Sequence, residues 1–85
     1  MRKYEKLVEG IIQGTSYANI AFADLQSLLI RLGFEERIRG SHHIFRKEGV
    51  EEKINLQKDG NKAKPYQIKQ IRTILLKYSL STGAH

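Results

Sequence analysis

The sequence predicts a two-layer α+β domain, an antiparallel three-stranded sheet with helices on one face, and three observations predict it. Phe22, Leu25, Leu28, Leu29 and Leu32 recur at helical spacing; after Gly33 the pattern changes to alternation; and helical spacing returns at Ile68, Ile71 and Leu75 behind the single proline. Helix, three strands, helix is an order that closes into one small domain and leaves the second sheet face open. An open face carrying polar residues is where a domain of this class binds RNA or another protein.

Each element has its own warrant. Tyr4, Leu7, Val8, Ile11 and Ile12 predict a short amphipathic helix over residues 3–13, followed by a linker at 14–19. The next helix carries Asp24, Gln26, Ser27 and Arg31 opposite its apolar face, with Asn19 as an early cap and Gly33 as the left-handed residue at its end. Residues 34–39 and 42–46 suit two strands, with Gly40-Ser41 as a turn or a bulge between them. Glu48-Gly49 signals another turn, and residues 50–57 alternate, with Ile54 and Leu56 on one face and Lys53, Asn55 and Gln57 on the other. Residues 59–64 read as a polar loop, Pro65 suits the first turn of a helix over about 66–78, and residues 79–85 show no pattern. The organisation expected is an N-terminal helical extension and linker at 1–19, the domain proper at 20–80, and a disordered tail at 81–85.

Composition narrows the function. With 85 residues, 15 Lys+Arg against 9 Asp+Glu and a formal charge of +6, the chain favours polyanionic partners such as nucleic acid. It has no cysteine, which removes disulfides, thiolate metal sites and cysteine nucleophiles together. No apolar run approaches the roughly 20 residues that span a bilayer, and the N-terminus lacks a secretory layout, so a cytoplasmic location without membrane contact is expected.

The segment with the most chemistry is Arg37-Ile-Arg-Gly-Ser-His-His-Ile-Phe-Arg46, where adjacent His42 and His43 sit among Arg37, Arg39, Arg46 and Lys47. Histidine transfers protons near neutral pH, and arginine or lysine beside it stabilises charge developing on a phosphate. Either histidine is also readable as a hydrogen-bonded strand residue, and the cations as a solvated surface. If Ile38 and Ile44 face the helices, His42 shares their face and His43 shares the open face with Arg37, Arg39 and Phe45. Gly40 permits a positive φ, and Ser41 either donates to a phosphate or orients the turn. A second basic group, Lys58, Lys62, Lys64 and Lys69, surrounds a helix N-terminus whose free N–H groups favour a phosphate, with Tyr66 as a stacking residue or a cover for the helix start. Adjacent strand histidines point to opposite faces and no His/Asp/Glu cluster has ligand spacing, so neither metal nor cofactor is expected. Glu35-Glu36 and Glu51-Glu52 read as solvated charge pairs.

Gly40-Ser-His-His-Ile-Phe45 behind a helix ending at Gly33-Phe34, with Ile54-Asn-Leu-Gln57, Lys62-Ala-Lys-Pro65 and a basic last helix, closely resembles the HicA family of toxin-antitoxin toxins. The resemblance covers about residues 20–80. It implies the α-β-β-β-α arrangement of double-stranded-RNA-binding domains and a metal-independent endoribonuclease, an mRNA interferase, whose substrate is mRNA and whose inhibitor is a HicB-type antitoxin. It also implies a catalytic histidine in the Gly-Ser-His motif, which falls on His42 directly after Gly40-Ser41, or on His43 if another residue intervenes. Such an enzyme would hold RNA through Gly40, Ser41, Arg37, Arg39, Arg46, Lys47, Lys62 and Lys64, while a partner's basic side chains could meet the glutamate pairs. The alternative on the same scaffold is a noncatalytic RNA- or protein-binding module.

Overall fold

The computed structural model describes residues 2–14 and 19–80. In chain order the elements are α1 (Arg2–Gln13), α2 (Phe22–Arg31), β1 (Glu35–Arg39), β2 (His42–Lys47), β3 (Val50–Leu56) and α3 (Pro65–Tyr78). The three strands form an antiparallel sheet in the order β1-β2-β3, so the α+β class and the α-β-β-β-α order after an N-terminal helix are as the sequence predicts. Most of the expected linker and the expected tail at 81–85 lie outside the described residues.

Local chemistry explains the boundaries. Gly33 at φ 100 ends α2, with the Gly33 N–H on the Ile30 carbonyl and the Phe34 N–H on the Leu29 carbonyl, both at 3.0 Å. This paired closure satisfies carbonyls left over at a helix end and turns Phe34 into the core beside Leu29. The start of α2 departs from expectation. Asn19 is not its cap, because Ala21 occupies that position without a side-chain bond; the Phe22 N–H instead reaches the Asn61 carbonyl at 2.9 Å, and Asn19 Oδ1 accepts from Lys62 Nζ at 2.7 Å. A backbone acceptor from a distant loop has replaced the local one. At α3, Pro65 opens the helix as predicted, and the buried Gln67 returns its side-chain carbonyl to the Lys64 N–H at 3.3 Å. Residues 79 and 80 are not patternless: Ser79 adopts φ 55, and the Leu80 N–H closes on the Leu75 carbonyl at 3.0 Å.

Both the apolar stripes and the sheet feed one core. Phe22, Leu25, Leu28 and Leu29 of α2, Phe45, Ile54 and Leu56 of the sheet, and Ile68, Ile71 and Leu75 of α3 are each no more than 1% exposed. Val8 and Ile11 of α1 belong to the same cluster, Ile11 with no exposed surface, and Arg72 of α3 donates from Nε to the Ile12 carbonyl at 2.8 Å. That bond takes up a carbonyl in the last turn of α1, which has no partner inside the helix. The Arg31 guanidinium lies 4.8 Å from the centre of the Tyr4 ring, joining α1 to α2 as well.

Glu51-Glu52 is only half a solvated pair. Glu52 points to the helices, accepting from Lys77 Nζ and from the Tyr78 hydroxyl at 2.7 Å each, while the Tyr78 oxygen accepts the Glu51 N–H at 3.2 Å. The hydrogen bonds from Lys77 and then Tyr78 stabilise the carboxylate and lower its pKa from 4.5 to about 2.

Two predictions follow from this packing. Ile11→Ala should cost about 2–5 kcal/mol in urea unfolding, the usual penalty for truncating a buried aliphatic side chain, whereas a detachable α1 would leave the midpoint unchanged. Because the folded Glu52 binds its proton more weakly than the unfolded one, its contribution to stability is complete above about pH 4.5 and is lost as pH falls toward 2. Thermal melts of Glu52→Gln across that window should therefore decline less steeply with acid than those of the wild type.

Candidate nucleic-acid interface and its two histidines

The β1–β2 hairpin places both histidines and every candidate residue except Lys62 and Lys64. Arg39 pairs with His42 across a loop of only Gly40 and Ser41, and Gly40 takes φ 59 at the first loop position, where a two-residue turn of this kind requires glycine. The loop is a turn and not a bulge. Ser41 Oγ accepts from Gln57 Nε2 at 3.1 Å, which ties the turn to the end of β3.

Directly opposed residues share a face, and the register therefore corrects the expected assignment of the histidines. Ile38 is opposite His43, and Arg37 is opposite Ile44, so the two isoleucines lie on different faces. His43 shares the helix-covered face with the fully buried Phe45, and His42 shares the open face with Ile44, Arg37 and Arg39. Ile38 misleads because it is apolar yet 57% exposed, near the turn end of an edge strand.

His42 is exposed, with Nδ1 3.1 Å from Asn55 Oδ1 on the neighbouring strand. An amide oxygen only accepts, so Nδ1 is the donor, and in the neutral imidazole this leaves the lone pair on Nε2. No described residue engages that Nε2. On the same side of the sheet, Arg37, Arg39, Arg46 and Lys53 line a cavity of about 480 Å³ with Ile44 and the two glutamates of β1. The face offers a proton acceptor, clustered cations and an apolar floor.

His43 has a different setting. Its side chain is 14% exposed, its Nδ1 lies 2.7 Å from Glu36 Oε2, and its ring meets Phe22 edge-on at 4.8 Å. Gln26 Nε2 donates to the same Glu36 oxygen at 2.6 Å. Glu36 is accordingly not a solvated charge but the shared acceptor for a strand and a helix. Phe22, Gln26 and Glu36 are neighbours of His43 that sequence reasoning missed; only the alternation of β1, which puts Glu36 opposite Phe45, could have signalled the last.

The remaining basic residues do not converge on one surface. Lys47 sits at the far end of β2, its ammonium over Gly33. Lys62 is bonded to Asn19, Lys64 lies 5.9 Å from the Tyr66 ring, and Lys58 lies 5.7 Å from the Phe22 ring, so this group borders the helix side of the sheet. Tyr66 is 63% exposed and does not cover the helix start. The first turn of α3 offers less to an anion than expected: the Gln67 and Ile68 N–H groups both bond to the Lys64 carbonyl, at 2.9 and 3.3 Å. Lys53 was missed as a member of the basic face although the alternation of β3 had placed it outward.

Among the described residues, no three His, Asp or Glu side chains converge as metal ligands, and no helix is long and apolar enough to cross a membrane. The fold and the site define a small basic α+β domain that presents a histidine within a cation-lined sheet face. The family model for the HicA toxin of bacterial toxin-antitoxin systems matches residues 22–78, and the chain belongs to that family of toxins. No curated protein and no solved structure matches it. The matched span begins with α2, so α1 lies outside it while filling the same core.

If the Glu36 contacts hold the seam between β1 and α2, Glu36→Ala should lower stability by about 1–3 kcal/mol, the cost of leaving half-buried donors unmet. Glu35→Ala, one residue away on the open face, should change it by less than about 0.5 kcal/mol. Chemical denaturation of the two variants side by side reads the difference directly.

Proposed function

We propose that this toxin is a metal-independent endoribonuclease that cleaves mRNA in the cytoplasm, with His42 as the general base. The observation that carries the reading is an exposed imidazole with a free Nε2 on the same face as Arg37, Arg39, Arg46 and Lys53. RNA brings its own nucleophile. Nε2 takes the proton from a ribose 2′-hydroxyl, the oxygen attacks the adjacent phosphorus, and the 5′ oxygen departs and takes a proton from solvent, leaving a 2′,3′-cyclic phosphate. A positioned base of this kind contributes about 10²–10⁴-fold. The cations stabilise the extra charge on the phosphoryl oxygens in the transition state, where such groups act without reorganising.

Gly40 and Ser41 hold the histidine at the rim of this face through the tight turn. Lys62 and Lys64, on the opposite border with Lys58, add salt-sensitive contacts to flanking phosphates, and Lys47 extends the basic surface at the other end of β2. Membership of the family implies a HicB-type antitoxin as partner. Covering the open face would bury the imidazole and its arginines together, so a single contact would silence the enzyme.

A second reading has a specific observation behind it: Glu36 holds Nδ1 of His43 at 2.7 Å, as an orienting carboxylate holds a catalytic histidine. Against it stands the 14% exposure of the His43 side chain beside Phe22, which restricts access of a ribose to Nε2.

Cleavage of defined single-stranded and structured RNAs in EDTA by the wild type, His42→Ala and His43→Ala separates these readings. The expected result is cutting by the wild type and His43→Ala, with a loss of at least about 100-fold in His42→Ala and RNA binding retained. Loss confined to His43→Ala moves the chemistry to the Glu36 pair. RNA binding by all three without cutting makes the domain a binding module.

A further inference from the structure

We propose that Asn55 is the positioning residue for His42, fixing both the tautomer and the direction of its ring; the inference rests on the reading of His42 as the base. Asn55 is paired with Ile44 on β2, which puts it on the open face, diagonal to His42. Its amide oxygen stands 3.1 Å from His42 Nδ1. A neutral imidazole free in water prefers its hydrogen on Nε2, the tautomer that cannot accept a proton from that edge. Donating that hydrogen from Nδ1 to the Asn55 oxygen reverses the preference and leaves the lone pair on Nε2.

The choice of an amide is itself informative. His43, on the other face, is met by the carboxylate of Glu36, whereas His42 is met by a neutral acceptor of similar reach. The open face around His42 carries Arg37, Arg39, Arg46 and Lys53, with Glu35 at its end. A carboxylate at position 55 would orient the ring equally well but would neutralise part of that charge where a phosphodiester must approach, and would favour the imidazolium, which is not a base. An amide orients the ring without either effect. Gln57 does not compete for the ring, because its side-chain amide donates to Ser41.

The test uses the full chain with Asn55→Leu, Asn55→Asp and His42→Ala, all at exposed strand positions. Nitrogen-15 NMR of the imidazole in the free protein reads the tautomer, single-turnover cleavage reads the chemistry, and a noncleavable 2′-deoxy substrate reads affinity. Asn55→Leu should move His42 toward the Nε2–H form and slow cleavage by about 10- to 100-fold, as loss of an orienting partner does, with affinity unchanged. Asn55→Asp should restore the Nδ1–H form and recover cleavage at high pH, with the acidic limb of its pH–rate profile displaced upward. If Asn55→Leu cleaves at the wild-type rate while His42→Ala is inactive, the positioning role alone is overturned. If His42→Ala still cleaves, the general-base reading falls and the role of Asn55 falls with it.

Discussion

Two residues close β1 onto β2, and the length of that loop decides what each face of the sheet can do. With Arg39 opposite His42, alternation sends His42, Ile44 and Arg46 to the open face and His43, Phe45 and Lys47 to the covered one. One more loop residue would exchange the two sets, placing His42 against α2 and Phe45 in water. The core resists that exchange, since Phe45 and its β3 partner Ile54 are fully buried. Gly40 makes the short loop possible at φ 59. Gly40-Ser-His-His is therefore a geometric statement before it is a chemical one: it delivers one histidine to each side of a thin domain.

Each histidine then meets the solvation problem of its side. On the covered face the buried apolar layer runs through Phe45 of β2 and Val50, Ile54 and Leu56 of β3 but does not extend under β1, whose inward residues are Glu36 and the exposed Ile38. The polar groups at that seam satisfy one another: Glu36 accepts from both Gln26 and His43, and Phe22 shields the imidazole. A half-buried ring without such a partner would be costly, so this arrangement accounts for His43 structurally without invoking catalysis. On the open face water can solvate the ring, and the contact with Asn55 is not needed for stability. An interaction that stability does not require, set among cations, is where a functional role is the stronger explanation.

Elements were more legible in the sequence than faces. The helical stripe from Phe22 to Leu32, the stop at Gly33, the alternation of β3 and the proline opening α3 are local signals, and each holds. Ile38 and Ile44 read as one apolar set only if both face the helices, and the register separates them. Apolarity identifies the covered side only where something covers it, and β1 lies at an edge. Glu36 and Glu52 read as solvated because their partners, Gln26, Lys77 and Tyr78, lie on other elements; only the assembled fold brings them within 2.7 Å. The same holds for α1. Its amphipathic pattern was plain, but nothing local showed that Ile11 would be as buried as any residue of the family-matched span.

That burial changes how regulation of the domain is to be viewed. With α1 on α3, and α2 and α3 on the sheet, the main apolar surfaces are spent inside the molecule, and the chief unpartnered layer is the cationic face of β1 and β2. Under the proposed reading, RNA and the antitoxin are drawn to this face by the same arginines. Phosphates are replaceable there by carboxylates, since both accept bidentate guanidinium bonds. Inhibition then needs no conformational change in a domain whose parts share one core. It needs only a partner that engages Arg37, Arg39 and Arg46 more durably than a diffusing RNA does, and that closes the approach to His42 while doing so.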